Sequence, residues 1–314
     1  MRMLAPLLAA AVLQALPSAA QDAQSQRRNY PPEMPGAKAE TYKTVGDKKL
    51  QMYVFQPDGW KPTDKRPAIV CFFGGGWTSG SPQQFLPQCK YLASRGMVAI
   101  AADYRVASRD HVKAVDCVKD AKSAIRYVRK NAATLGVDPD RIVAAGGSAG
   151  GHLAAACGTI KAFDEPNEDA GISSKPNALL LFNPAVVLDK VAGLDVDEKR
   201  LTGLNERMGV NSRELSPYHH VSRQAPPTAI FHGKADQTVP YATVVAYAKA
   251  MQEAGAKCEL FGYDDQGHGF FNQGRANNKM FVATMTQADK FLAQLGYLQG
   301  EPKLEEPARD ADGK

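Results

Sequence analysis

Short apolar runs alternate with longer helix-forming runs along most of the chain. Two early runs predict strands at about 41–46 and 50–56, which would form the antiparallel edge of a sheet. The later apolar runs predict strands at residues 67–73, 97–102, 141–146, 178–183, 227–232 and 257–263. The runs between them predict helices at residues 84–95, 113–134, 148–159, 240–254 and 277–295. Since strands that alternate with helices form a mostly parallel sheet covered on both faces, the pattern predicts an α/β fold.

The first 20 residues do not fit this alternation. Arg2 gives a short positive segment, Leu4 to Leu16 is apolar, and Ser18-Ala19-Ala20 offers a small-residue cleavage site. These features are typical of a secretory signal peptide, which is too short to cross a membrane as a stable helix. We therefore expect cleavage after Ala20 and a secreted or periplasmic protein.

Polar segments with prolines flank the predicted domain. Residues 21–38 predict a disordered linker and residues 299–314 predict a flexible tail, so one folded domain should span residues 39–298. Inside it, residues 184–225 are long for a connection between adjacent strands. Long connections are commonly functional, so they predict a small lid that holds much of the substrate specificity.

Composition and charge exclude some partners. The 314 residues have a formal net charge of +5, and no basic run is long enough to predict nucleic-acid binding. After the signal peptide, no apolar stretch approaches the roughly 18 residues of a membrane-spanning helix, so no membrane association is expected. The sequence does not determine an oligomeric state.

The cysteines predict neither a metal site nor a disulfide framework. They are odd in number, their spacing fits no zinc site, and they fall in strand-like or helix-like runs at positions 71, 89, 117, 157 and 258. We expect buried thiols, and a single disulfide stays open. No metal and no organic cofactor is predicted.

A candidate nucleophile lies in the segment Gly146-Gly147-Ser148-Ala149-Gly150. An apolar strand leads into this segment and a helix-forming run leaves it, which is the setting in which a G-x-S-x-G pattern has chemical meaning. The glycines on either side of Ser148 let strand and helix approach without Cβ clashes, and a strained turn lifts the hydroxyl clear of the sheet.

A serine hydroxyl needs a base, and the base needs an acid that orients it. Asp236 follows the predicted strand 227–232, and His268 follows the predicted strand 257–263, so both lie at the carboxyl edge of the sheet. The order serine, acid, histidine is that of such folds. Asp264 and Asp265 compete for the role of the acid. Among the other five histidines, His152 and His232 are expected to be structural. His219 and His220 are expected to serve loop packing or to form a pocket wall, and no motif surrounds His111.

Backbone donors for a developing oxyanion are expected in two places. The predicted strand 67–73 runs into Gly74-Gly75-Gly76-Trp77, where three glycines expose unobstructed amides. The N–H of Ala149, directly after the serine, can supply another donor.

These motifs together resemble the α/β-hydrolase esterases related to hormone-sensitive lipase, and among them the bacterial acetyl-esterase/feruloyl-esterase-like group. The resemblance covers about residues 40–298, in the family's order, through Phe73-Gly74-Gly75-Gly76-Trp77, Ala102-Asp103-Tyr104-Arg105, Gly147 to Leu153, Phe231-His232-Gly233 with Asp236, and Gly267 to Phe270. It implies an α/β-hydrolase fold with a lid insertion. It also implies a catalytic triad of Ser148, Asp236 and His268, and an oxyanion hole lined by the amides of Gly75, Gly76 and Ala149.

One position departs from the family pattern. Phe73 stands where these esterases usually have a histidine that anchors the glycine loop through hydrogen bonds. We expect packing of Phe72, Phe73 and Trp77 to hold the loop instead. The alternative is that Phe73 and Trp77 line the substrate site.

The resemblance implies a secreted serine carboxylic-ester hydrolase that acts through an acyl-enzyme. It suggests a short acyl group, acetyl or feruloyl, on a small molecule or a plant polysaccharide. A serine exopeptidase like the prolyl oligopeptidases is an alternative, although about 40 residues before the first core strand leave no room for the extra domain such enzymes carry. A non-catalytic binding protein of the same fold would be favoured by loss of a triad residue, and none is lost.

Overall fold

A single sheet of eight strands forms the centre of the molecule. The computed structural model describes residues 30–194 and 198–304. Along the sheet the strands follow the order β1-β2-β4-β3-β5-β6-β7-β8. They are β1 (Lys38–Val45), β2 (Lys48–Phe55), β3 (Arg66–Phe72), β4 (Val98–Ala102), β5 (Val137–Gly147), β6 (Ala178–Phe182), β7 (Thr228–Gly233) and β8 (Cys258–Tyr263).

Helices connect the strands and cover both faces of the sheet. The α-helices are α1 (Leu86–Ser94), α2 (Ala107–Asp110), α3 (Ala114–Lys130), α4 (Ala132–Leu135), α5 (Ala149–Thr159), α6 (Glu198–Met208), α7 (Tyr241–Glu253) and α8 (Lys279–Gln294). Short 3₁₀ turns cover Pro82–Phe85, Ser212–Leu215, Pro217–His220 and Ala276–Asn278.

The strand directions place the loops that carry the candidate site. β1, β2 and β4 pair antiparallel, whereas β4, β3, β5, β6, β7 and β8 run parallel to one another. The carboxyl ends of the parallel strands therefore lie along one edge, where open α/β sheets hold their sites. This is the predicted α/β-hydrolase fold, with an antiparallel edge and helices on both faces.

Two apolar layers sandwich the sheet because its central strands are buried on both sides. Every residue of β4, β6 and β7 is buried. α3 and α5 contribute to one layer, and α1 and α8 contribute to the other. Strands with this double burial are apolar throughout, which is why the sequence predicts them as continuous apolar runs.

Most predicted elements match the observed ones closely. The helices α2 and α6 have no counterpart among the predicted helices, and two predicted elements differ in extent. β5 begins at Val137 because that residue pairs with Arg66 across a bulge in the β3 ladder. The predicted helix 113–134 is two helices, α3 and α4, separated at Asn131.

The ends of the described chain pack on the domain. Tyr30, within the predicted linker 21–38, lies under the Arg109 guanidinium, 3.9 Å from Cζ to the ring centroid, and Met34 is buried. Arg95 donates hydrogen bonds to the carbonyl oxygens of Gln299 and Gly300 at the start of the predicted tail. The predicted signal peptide, 1–20, and the end of the tail from 305 lie outside the described residues.

All five cysteines are buried free thiols, as the sequence predicts. In residues 30–194 and 198–304, no cluster of three His, Cys, Asp or Glu side chains is arranged to hold a metal ion. No helix in this part of the chain has the length and apolarity needed to cross a membrane.

Candidate active site

Ser148 occupies a sharp turn between β5 and α5. Its backbone has φ 54° and ψ −116°, a region that costs a non-glycine residue about 1–3 kcal/mol. The turn is held because the Ser148 N–H donates to the carbonyl oxygen of Phe182 on the neighbouring strand, at 2.8 Å. The serine is thereby fixed at the carboxyl edge of the sheet, as its motif predicts.

The surrounding glycines are required by contact distances. A Cβ at Gly146 would lie 2.3 Å from the carbonyl group of Gly150, and a Cβ at Gly150 would lie 2.0 Å from the carbonyl oxygen of Phe72. A Cβ at Gly147 would lie 2.5 Å from Cζ of Phe271. Each distance is far inside van der Waals contact, with backbone atoms at Gly146 and Gly150 and with a buried ring at Gly147, so the strand, the turn and the helix pack closely because these side-chain atoms are absent.

The structure brings Ser148, His268 and Asp236 into one hydrogen-bonded chain. His268 Nε2 lies 2.9 Å from Ser148 Oγ, and His268 Nδ1 lies 2.7 Å from Asp236 Oδ2. The imidazole is partly exposed, whereas the Asp236 side chain is fully buried. The three residues are separated by up to 120 positions in sequence. The arrangement can remove a proton from the serine hydroxyl and stabilise the resulting imidazolium.

Asp236 accepts hydrogen bonds on both carboxylate oxygens. Oδ1 accepts from the backbone N–H groups of Thr238 and Val239, and Oδ2 accepts from Asn183 Nδ2 at 3.1 Å. His232 Nε2 lies 3.3 Å from Oδ2 and donates to the Val239 carbonyl oxygen at 2.8 Å. Burial by itself raises the pKa of the Asp236 carboxyl, but hydrogen bonds from two histidines and a backbone N–H outweigh it and hold the pKa well below its usual range. The carboxylate therefore stays ionised.

The two competing acids do not reach His268. Asp264 pairs with Lys234 Nζ at 2.7 Å, and its side chain is 79% exposed. Asp265 is exposed and has a left-handed backbone with φ 57°. The short loop does not fold back to pair either carboxylate with the imidazole.

The glycine loop, Gly74 to Trp77, presents two N–H groups without an internal partner. The Gly74 N–H donates to Gln84 Oε1 at 2.6 Å, but no hydrogen bond among the described residues uses the N–H of Gly75 or Gly76. Both glycines have positive φ, and a Cβ at Gly75 would lie 2.1 Å from the Ser79 carbonyl oxygen. Ala149 opens α5, where the first N–H groups lack intrahelical acceptors.

Phe73 is anchored by a tyrosine. Its ring stacks on Tyr104 with centroids 4.1 Å apart, and Tyr104 Oη donates to the Phe73 carbonyl oxygen at 2.7 Å. Phe73 is 1% exposed, so it lies in the core beside the loop and offers no accessible surface to a substrate. This corrects the alternative in which Phe73 lines the substrate site.

Trp77 and His152 tie the end of the glycine loop to two other elements. Trp77 is 4% exposed and donates from Nε1 to His152 Nδ1 at 3.1 Å, so it packs in the core and, like Phe73, does not line the substrate site in this structure. His152 Nε2 donates to the Leu215 carbonyl oxygen at 2.7 Å, which fixes the neutral tautomer. Burial lowers the pKa of His152 to about 4. A histidine thus anchors this loop after all, from α5 and not from position 73.

The predicted lid, 184–225, packs on the nucleophile region. Its 3₁₀ turn Pro217–His220 contacts α5, and α6 contacts α3. Nη1 of Arg207 on α6 lies 3.8 Å from the Cβ position of Gly76, next to the glycine loop. His219 is half-buried, and its Nε2 lies 3.2 Å from the Lys190 carbonyl oxygen.

Two family profiles match this chain. The BD-FAE profile matches residues 52–251, and the dienelactone hydrolase family profile matches residues 210–297. The first match runs from β2 to α7 and includes Ser148 and Asp236. The second adds the segment with His268.

A solved esterase from Thermogutta terrifontis, esterase 2, is similar over nearly its whole length. Its native structure has a TM-score of 0.83 and 54% sequence identity, covering 88% of this chain and 98% of that one. Structures of the same esterase with bound propionate and bound butyrate have TM-scores of 0.82 and 0.83.

Two relatives with longer chains are also similar. Esterase LipQ of Mycobacterium tuberculosis is 29% identical over 205 residues, which are 62% of this chain and 48% of LipQ. An acetylxylan esterase of Xylanibacter ruminicola is 27% identical over 241 residues, which are 74% of this chain and 46% of that enzyme. The chain thus spans about half the length of these relatives.

The buried, neutral His152 predicts a pH-dependent stability. The unfolded state binds a proton at His152 near pH 6.5, whereas the folded state binds it only near pH 4. The free energy of unfolding should therefore fall, on account of this group, by about 3 kcal/mol as the pH drops from above 6.5 to 4. In urea unfolding between pH 7 and pH 4.5, His152→Gln should lose less stability than the wild type.

The exposed His111 supplies the matched control for that measurement. His111→Gln should keep the wild-type pH dependence. Equal pH dependence of the wild type and His152→Gln would contradict the neutral buried histidine.

Proposed function

We propose that this chain, which belongs to the BD-FAE family of α/β-hydrolase esterases, is an exported serine carboxylic-ester hydrolase for short-chain acyl esters. The observation that carries this proposal is the hydrogen-bonded chain of Ser148, His268 and Asp236 at a strained strand-to-helix turn. The family relation supports the ester as the bond that is cleaved.

In the proposed reaction, Ser148 Oγ attacks the ester carbonyl carbon while His268 Nε2 takes its proton. Asp236 keeps the imidazole oriented and stabilises its cation. The N–H groups of Gly75, Gly76 and Ala149 then bind the oxyanion, since they have no acceptor of their own among the described residues. His268 passes its proton to the leaving alcohol, and a water molecule, activated by the same imidazole, releases the acyl group.

The names of the relatives support a short acyl group for the proposed substrate. Thermogutta terrifontis esterase 2 binds propionate and butyrate, and the Xylanibacter ruminicola relative is an acetylxylan esterase. For the present chain we propose acyl groups from acetyl to butyryl, with a feruloyl ester as the competing substrate. An acylated polysaccharide is the proposed natural form of the ester, to which the proposed export would give access.

Replacement of the nucleophile should abolish the reaction. Ser148→Ala should remove ester turnover and leave the melting temperature close to that of the wild type, because the hydroxyl contributes to no core contact. A fluorophosphonate should label the wild type at Ser148, located by peptide mass spectrometry. Label on another residue, or near-normal turnover by the variant, would contradict the mechanism.

Substrate class is tested with one panel on the wild type and Ser148→Ala. Acetyl and butyryl esters should be turned over faster than an octanoyl ester, in a Ser148-dependent manner. Fastest turnover of the feruloyl ester would replace the short-chain assignment. Preference for an aminoacyl anilide would identify an exopeptidase, and no turnover with no labelling would indicate a binding protein.

Asp236→Asn should lower kcat by about 10⁴-fold. Every neighbour of this carboxylate donates a hydrogen bond to it. The NH₂ group of an asparagine would therefore face a donor in place of one carboxylate oxygen, and where it faces His268 Nδ1 it would favour the wrong tautomer of the imidazole. Asp264→Asn and Asp265→Asn are the matched controls and should retain most of the activity. A larger loss from either control would contradict the assignment of the acid.

Export predicts a processed N-terminus. When the chain is expressed with its native start in a bacterial host that processes Sec signals, the mature protein should begin at Gln21. Intact mass and N-terminal sequencing of the extracellular or periplasmic fraction check this. A cytoplasmic product that retains Met1 would contradict it.

A further inference from the structure

Three hydrogen bonds in series connect the glycine loop with the loop that carries His268. The Gly74 N–H donates to Gln84 Oε1 at 2.6 Å, and Gln84 Nε2 donates to Asn272 Oδ1 at 3.1 Å. Asn272 Nδ2 then donates to the carbonyl oxygen of Gly269 at 2.9 Å. We call the two side-chain amides of Gln84 and Asn272 the amide relay.

The direction of the relay is fixed by its two ends. A backbone N–H can only donate and a backbone carbonyl can only accept, so each side-chain amide has one orientation that satisfies both neighbours. Rotating either amide by 180° would oppose two donors or two acceptors. The relay therefore behaves as one connected unit, and breaking one bond leaves the rest without a fully paired arrangement.

One end of the relay lies against the nucleophile. The Cβ position of Gly74 is 3.0 Å from the Gly147 carbonyl oxygen and 3.3 Å from Ser148 Cβ. Because its N–H is held by Gln84, Gly74 orients the two residues that follow it, Gly75 and Gly76. Their N–H groups are the proposed oxyanion donors.

The other end of the relay lies directly after the base. Gly269 follows His268 and has φ 75°, so the backbone turns sharply just beyond the imidazole. Asn272 holds the Gly269 carbonyl oxygen, and Arg275 Nη1 lies 3.4 Å from the His268 carbonyl oxygen. Side chains thus reach the carbonyl groups of two successive residues in this loop, and the Asn272 backbone N–H also donates to the Gly269 carbonyl oxygen, at 3.2 Å.

The sheet alone does not join these two loops directly. The glycine loop follows β3 and the His268 loop follows β8, and β5, β6 and β7 lie between them. Backbone hydrogen bonds set the spacing only through three intervening strands. The amide relay spans this distance with side chains 188 positions apart in sequence.

We propose that Gln84 and Asn272 are positioning residues, which fix the oxyanion donors and the imidazole relative to each other. This rests on the proposed function, since it concerns the same reaction. Neither residue touches the reacting atoms. Their effect should appear in the transition state, where the donors must lie 2.7–3.1 Å from the developing oxyanion. Displacement of catalytic groups by about 1 Å can cost 10²-fold in rate.

The test compares Gln84→Met, Asn272→Leu and the double variant with the wild type on one acetyl ester. Each single variant should lower kcat about tenfold, equivalent to about 1.4 kcal/mol of barrier, with little change in KM. The double variant should be scarcely worse than the more damaging single variant, because the relay is broken once. Gln83→Met is the control, since Gln83 is exposed on the same 3₁₀ turn and its side chain binds, within the described residues, only the Glu33 carbonyl oxygen.

A second readout separates positioning from stability. The rate at which a fluorophosphonate labels Ser148, measured below the melting temperature and scaled to the folded fraction, should fall in parallel with kcat. Variants with a lower melting temperature but wild-type kcat and labelling rate would overturn the proposal. A double variant with the product of the two single losses would overturn it as well, because the residues would then act independently.

Two polar variants cover the case in which the apolar ones do not fold. In Gln84→Glu the carboxylate still accepts from Gly74 but cannot donate to Asn272. In Asn272→Asp the side-chain donor to the Gly269 carbonyl oxygen is lost, and only the backbone N–H of residue 272 still donates to it. Both should show the same kcat loss, and unchanged kcat in both would overturn the relay. If the wild type shows Ser148-dependent ester turnover and the relay variants are fully active, only the proposed role of the amide relay is contradicted. A wild type without ester turnover defeats the proposed function and the relay with it.

Discussion

The close approach of β5, Ser148 and α5 is the constraint on which the rest of the site depends. The serine backbone is held in a region that ordinary residues avoid, and three neighbouring positions have no space for a Cβ atom. The helix therefore starts within contact of the strand end, and the hydroxyl stands at the carboxyl edge of the sheet. His268, the glycine loop and the insertion are all arranged around that one fixed oxygen.

A buried carboxylate imposes a second constraint. Asp236 collects donors from the backbone and from Asn183 and His232, and these partners are themselves imperfectly satisfied. Asn183 Oδ1 and His232 Nδ1 are buried and have no hydrogen-bond partner in the part of the chain that the structure describes. An unpaired buried polar atom costs about 1–3 kcal/mol. The unpaired atoms of Asn183 and His232 thus lower the stability of the folded protein, while the same two side chains help to keep the Asp236 carboxylate ionised next to the His268 imidazole.

The sequence predicts the fold, and it identifies Ser148, Asp236 and His268 as candidate catalytic residues because strand periodicity and chain order place them at one edge of the sheet. It does not predict the groups that hold the loops. Gln84 and Asn272 belong to no recognisable motif, and their pairing depends on a contact between distant segments. The role of His152 had a local signal, since it lies four residues after Ser148 on the same helix face, but its partners could not be inferred. The sequence predicts that Phe73 holds the glycine loop by packing, but it does not predict that Tyr104 stacks on this ring and donates a hydrogen bond to the Phe73 carbonyl oxygen.

The bond from His152 to the Leu215 carbonyl oxygen has a consequence for protein engineering. Insertions of this kind are attractive units for exchange between related enzymes, because they lie over the site and leave the sheet untouched. Here the insertion supplies a backbone carbonyl that accepts a hydrogen bond from the fully buried His152 ring, and the same ring accepts a hydrogen bond from the indole N–H of Trp77. A transplanted segment must therefore reproduce a carbonyl at that point in space, or the chimera would bury an unpaired ring nitrogen next to the glycine loop.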